Sequence, residues 1–167
     1  MSRYTRPLLF ALLLLALAAS PARAFDVWQY PEAADRGAIF AGAFAASFSY
    51  DFADPSKSKF GLDYPEVYLD YVLPVGLPFS FGLSFDPFRV DQYGFGARPG
   101  YHLNFDSPNL DAYLLYSVDL DISLSRMVLD HGVRAGLRYV FNGLFCLTAE
   151  TGHRFQSVKF GVSIRLN

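Results

Sequence analysis

The residues best placed to do chemistry are charged ones that recur at two-residue spacing. Asp111, Asp119 and Asp121 share one parity, Arg134 and Arg138 share another in the next stretch, and Glu150 follows in a third. Side chains two apart in a strand project from the same face, so such charges would gather on one side of neighbouring strands. Glu66, Asp70, Asp86, Arg98, Lys159 and Arg165 hold the equivalent parity in their own stretches. The set carries both signs. Buried charge is tolerable only when paired, so the chemistry expected of it is a cross-braced network of ion pairs; a narrow polar conduit or gate is the alternative.

Nucleophilic or metal chemistry has less to draw on. His102, His131 and His153 fall in three separate elements, each expected as a lumen or loop residue. Catalysis needs a nucleophile and a base within hydrogen-bond reach, and nothing in the sequence places such a pair. No catalytic residue is assigned. Cys146 is the sole thiol, which gives neither a disulfide framework nor a metal site, and no cofactor is expected. Gly94-x-Gly96 lacks the strand and helix context of a phosphate loop.

The elements that would position these charges are clearest between Gln92 and Phe105. Odd positions there are Tyr93, Phe95, Ala97, Pro99, Tyr101, Leu103 and Phe105; even ones are Gln92, Gly94, Gly96, Arg98, Gly100, His102 and Asn104. A soluble barrel would carry long solvated side chains on its polar face. This face carries mostly glycine, which suits the crowded lumen of a small barrel whose aromatics are turned to lipid.

The same alternation runs along the chain. A first strand is expected over Ala38 to Phe52, with Phe40, Phe44, Phe48, Tyr50 and Phe52 on its apolar side and small Ala and Ser residues opposite. A polar loop follows over 53 to 63. The second strand spans Tyr64 to Leu73, the third Pro78 to Asp86, the fourth is the Gln92 stretch, and the fifth alternates from Leu110 to Leu124. A loop over 125 to 132, returning at Asp130-His131-Gly132, leads to a sixth strand from Val133 to Phe141. Asn142-Gly143 signals a type I′ hairpin into a seventh strand, Phe145 to Glu150, and the eighth runs Ser157 to Leu166. Pro99 removes a ladder donor, so a bulge or bend is expected at Arg98-Pro99-Gly100.

Eight strands suit a barrel with both ends on one side of a membrane. No Asp, Glu, Lys or Arg falls on the apolar side of any of them. The fold expected is therefore an all-β, antiparallel, up-and-down transmembrane β-barrel of eight strands. Aromatics gather toward strand ends as interfacial girdles: Tyr71, Phe79, Phe105, Tyr139, Phe141 and Phe145 at one boundary, and Tyr50, Phe52, Phe85 and Tyr93 at the other.

Ahead of the barrel, Arg3 and Arg6, an apolar Leu8 to Ala19 and Ala22-Arg23-Ala24 read as a signal peptide over residues 1–24. Its apolar core is too short to span a bilayer, for which about 20 residues are needed. Residues 25–37, with Trp28 and Tyr30, read as a periplasmic lead-in with those rings at the membrane interface; a plug or an extra edge strand is the alternative. The barrel domain covers 38–167. The chain carries 14 basic and 16 acidic residues, a balance that argues against nucleic acid and against a polybasic membrane-surface binder.

The pattern over residues 38 to 167 resembles the small outer-membrane β-barrel superfamily of Gram-negative bacteria, of the outer-membrane protein A, X and W type. The closing run Val158-Lys159-Phe160-Gly161-Val162-Ser163-Ile164-Arg165-Leu166-Asn167 is similar to the terminal insertion signal of those proteins, although they commonly end in an aromatic. The resemblance implies a cell outer-membrane location, lipid as the surrounding medium and assembly-machinery recognition of the last strand. Some such barrels are lipid A deacylases with a His-x-Ser-Asn signature, which this sequence lacks, so an enzyme is not expected. The expected role is a structural or surface-contact protein with a side-chain-filled lumen, its loops at 53 to 63 and 125 to 132 meeting a surface partner. A narrow channel or transporter for small or apolar solutes is the alternative, and a soluble periplasmic ligand-binding barrel the further one.

Overall fold

The computed structural model describes residues 29–50, 56, 58–87, 92–105, 107–151 and 157–166; the expected signal peptide and Trp28 lie outside the described residues. Eight strands follow one another: β1 (Ile39–Ser49), β2 (Lys59–Val72), β3 (Phe79–Asp86), β4 (Gln92–Leu103), β5 (Leu110–Ser123), β6 (Met127–Phe141), β7 (Phe145–Thr151) and β8 (Ser157–Arg165). Each pairs antiparallel with its sequence neighbours, and β8 pairs back onto β1, so the sheet closes into an up-and-down barrel. Closure removes the free edges that β1 and β8 would otherwise present.

From β3 to β8 the alternation predicts the side correctly. In β3, Phe79, Phe81 and Leu83 are exposed on the outer face while Ser80, Ser84 and Asp86 are buried inside. In β4, Phe95 lies outside while Arg98 and His102 are buried within. Asn142 has φ 51° and Gly143 φ 71°, the two positive angles that a type I′ turn requires.

β1 departs from the expected phase. Phe40 and Phe44 are 0% and 2% exposed and face the lumen, whereas Phe48 faces out. The register explains the switch: Phe44 pairs with Gly161 and Ala46 with Phe160, so Ala45 is an extra residue on β1. A bulge of this kind flips the parity of everything beyond it. Along β2 the same irregularity separates Leu62 and Phe60, both facing out, from Glu66, Tyr68 and Asp70, which face in.

Two boundaries also differ, and one expected bulge is absent. β2 begins at Lys59, so the end of the expected 53 to 63 loop belongs to the wall. β6 begins at Met127 rather than Val133, and Leu120 pairs with Leu129 and Ile122 with Met127. The chain reverses instead at Leu124–Arg126, where the Ser123 hydroxyl donates to Arg126 O at 3.0 Å and accepts from Arg126 N at 3.2 Å. Pro99 produces no bulge: Ala97 pairs with Val118 and Gly100 with Leu115, three residues further along both strands.

Glu32–Ala34 forms a short 3-10 turn that reaches β5, the strand opposite β1 in the ring, and so crosses the barrel opening. Ala33, Ala34 and Ala38 are buried against Phe40, Val72, Val140 and Cys146, with Tyr30 packed on the same cluster.

Candidate functional site

The strongest concentration of functional groups is inside the barrel. β4 presents Arg98, β6 presents Arg134 and Arg138, and β7 presents Glu150, each inward because it shares parity with the small or polar residues of its strand. Arg98 donates from Nη2 to Glu150 Oε2 at 2.7 Å and from Nε to Asp70 Oδ1 at 3.2 Å, and its Nη1 lies 3.7 Å from Glu66 Oε1. Arg138 bridges Asp111 and Asp70 at 3.0 Å each. Arg134 donates to Asp119 Oδ2 at 2.6 Å and to Glu150 Oε1 at 3.3 Å. Lys159 pairs with Glu66.

All eleven residues expected in this network lie on the inner face of their strands, and nine form a connected set. Neighbouring strands supply the pairs Arg138–Asp111 and Arg134–Asp119; the links Arg138–Asp70 and Arg98–Glu150 join strands that are not neighbours and so cross the lumen. Asp86 is buried at one mouth and lines a cavity there. Arg165, paired with lumen-facing Phe40, lies at the other mouth, where its guanidinium meets Asp35 of the lead-in at 2.6 Å.

The charges are interleaved with rings that the sequence pattern does not single out. Arg138 lies 3.8 Å from the Phe40 ring centroid and 5.1 Å from that of Tyr113; Arg98 lies 4.8 Å from Tyr68 and 5.8 Å from Phe44. A guanidinium over a desolvated ring gains about 2 kcal/mol or more, which helps offset the cost of removing the cation from water. Two glycines make the space. Tyr68 pairs across to Gly42, and a Cβ there would come within 2.7 Å of the phenol oxygen; Tyr113 pairs with Gly136 and leans over it in the same way. A cross-strand Tyr–Gly pair is the sequence signal that marks these rings as inward.

His102 adds an acid–imidazole pair, its Nδ1 at 2.6 Å from Asp111 Oδ1. Its Nε2 is buried, and no described residue forms a hydrogen bond with it; a base orienter is present here without a hydroxyl or thiol bonded to the imidazole. His131, expected in a loop or the lumen, is instead on the outer face of β6, where its Nδ1 lies 2.6 Å from the Tyr116 hydroxyl. His153 lies outside the described residues. Among the described residues, no group of three or more His, Cys, Asp or Glu side chains could hold a metal ion.

At the loop end, a cavity of about 170 Å³ is lined by Glu66, Asp86, Asp119, Asp121, Arg134 and Lys159 among others. Beneath it the Arg98, Arg138 and Glu150 side chains, 1%, 0% and 0% exposed, occupy the lumen. On the outside, Tyr71, Phe79, Tyr93, Phe105, Tyr139, Phe141 and Phe145 are all exposed, and Phe85 is partly so. Tyr50 is half-buried just past β1, and Phe52 lies outside the described residues.

No family model matches this chain, and no curated protein matches it. Among solved structures the chain is similar to Ail, the attachment invasion locus protein of Yersinia pestis, with 13% identity, a TM-score of 0.41, and 79% of this chain and 100% of that one covered. It is also similar to Neisserial surface protein A, with 18% identity, a TM-score of 0.47, and 78% of this chain and 98% of that one covered.

Proposed function

We propose that the chain is an integral outer-membrane β-barrel protein with a structural or surface-contact role and a lumen closed by its own side chains. One observation carries this reading: the wall and the interior have exchanged the usual places of apolar and charged residues. Leu83 is 56% exposed, Val162 61% and Phe95 50%, whereas Arg138, Asp111 and Glu150 are 0%. In water such a wall would be a continuous sticky surface; in hydrocarbon it is the stable arrangement, because a closed barrel satisfies every backbone group internally.

Lipid is then the principal partner, and β8, the terminal strand, is the element offered to the assembly machinery. Orientation follows from the connections. The end holding both termini faces the periplasm, and the β5–β6 hairpin, whose strands pair as far as Ile122 and Met127, projects from the opposite end. Its tip carries exposed Leu124, Met127 and Leu129, which replaces the expected 125 to 132 loop as the candidate surface-contact element.

A soluble ligand-binding barrel needs the apolar stripes to converge inside, and they face out. The narrow-conduit alternative has the mouth cavity in its favour, but the guanidinium layer below fills the path. Membrane fractions washed with carbonate should retain the protein, and refolded protein in planar bilayers should give no discrete conductance steps. Release into the carbonate supernatant would overturn the membrane reading. Reproducible steps would replace the closed lumen with the conduit.

A further inference from the structure

Residues 29–38 hold a second arrangement that the barrel wall does not require. The 3-10 turn spans the opening at the terminus end, and the side chains buried there are small: Pro31, Ala33 and Ala34, followed by Ala38. Its ties to the wall include the Tyr30 hydroxyl, which donates to Leu73 O at 2.6 Å, Gly37 N, which donates to Val72 O at 3.0 Å, Ala38 O, which accepts from Val72 N at 2.8 Å, and Asp35, which meets Arg165 at 2.6 Å. Two further bonds, Ala34 N to Pro31 O and Ala38 N to Asp35 O, are internal to the segment. Pro and Ala side chains bury little apolar area, so the segment is held more weakly than a strand laddered on both sides. Above it Phe40, Val72, Val140 and Cys146 form an apolar cluster, roofed by Arg138 against the Phe40 ring, which departure of the segment would leave as a recess.

We propose that this segment is a cork, latched by the Asp35–Arg165 ion pair to the last strand, which opens and closes the apolar recess while the barrel wall stays intact. The latch joins the lead-in to the C-terminal strand, whose neighbouring Leu166 N donates to Ile39 O at 2.9 Å across the β1–β8 seam. It is solvent-facing, with the Asp35 side chain 58% exposed, so salt weakens it. Opening exposes a blind recess and not a pore, because the Arg138 layer remains beyond it.

The protein carries its own reporter. Cys146 is the sole cysteine, is 2% exposed, and sits in the cluster that the cork covers. The test is the rate of maleimide labelling of Cys146 in the full mature chain refolded into liposomes, with the heat-modifiable gel shift reporting the intact barrel. Asp35→Asn and Arg165→Gln should each speed labelling about two- to fivefold, the range that loss of one exposed ion pair gives, with the barrel band unchanged. Salt should accelerate labelling of the wild type and leave Arg165→Gln nearly unaffected. The swap Asp35→Arg with Arg165→Asp should restore slow labelling, and Tyr30→Phe should speed it through another tie. Labelling that is indifferent to latch and salt would overturn the proposal. So would loss of the barrel band in Asp35→Asn, which would make the segment part of the wall.

Discussion

The outer wall and the lumen of this barrel are built from the same strands, yet they obey different rules. On the wall, Phe81, Leu83, Phe95 and Leu114 are exposed and need only be apolar; their position is not specified by any directional bond. In the lumen, Arg98 meets three carboxylates and two rings, and Arg138 two carboxylates and three rings. One side is tolerant of which apolar residue it carries, the other of almost no change. The wall determines where the protein is stable, and the lumen determines which single barrel forms.

The sharpest way to break this contrast is to remove one lumen cation. Arg98→Ala leaves Glu150 and Asp70 short of a buried partner and should destabilise the protein by about 3 to 5 kcal/mol, read from urea titration in liposomes; an effect below about 1 kcal/mol would mean that the network is solvated. The same residue type on the two sides gives the next test. Phe44→Ala opens a cavity beneath Arg98 and should cost about 3 to 5 kcal/mol, whereas Phe81→Ala should cost much less because lipid fills the space. Equal costs would show that the two sides are not different media.

A charge placed on the wall probes it directly. Leu83→Arg should cost about 2 to 4 kcal/mol in a bilayer, where a water-facing site would register almost nothing. The smallest effect in this series is steric. Gly136→Ala would push a methyl into the Tyr113 ring and should cost about 1 to 3 kcal/mol, while Gly76→Ala, at φ 85° in an open turn, tests backbone strain without any ring.

Much of this was legible in the sequence, and the failures have physical causes. Alternation in β3 to β8 is unambiguous because one side is apolar and the other holds glycine or charge. β1 offers no such contrast: Ala41, Ala43 and Ala45 oppose Phe40, Phe44 and Phe48, and small or aromatic residues suit either side. The inward Phe44 and Phe40 face the guanidinium groups of Arg98 and Arg138, partners far along the chain that the local pattern does not reveal. Asp130-His131-Gly132 has turn chemistry, yet Gly132 serves as the small lumen partner of Ser117, and the real turn at Leu124–Arg126 contains no Gly or Pro. The ion pairs between neighbouring strands followed from register. Arg138–Asp70 and Arg98–Glu150 cross the lumen, and strand order alone does not say how far a side chain reaches. Nor could the alanines at 33 and 34 announce the segment that closes the opening.

The most direct measurement labels Leu83, Phe95 and Leu114, each replaced singly by cysteine in a Cys146→Ser background, with a nitroxide in bilayers, and compares relaxation by oxygen with relaxation by a water-soluble nickel chelate. Oxygen should dominate at all three positions. Stronger relaxation by the nickel chelate, or shielding from both agents, would mean that the stripes face water or a protein interior, and the account of the wall would fail.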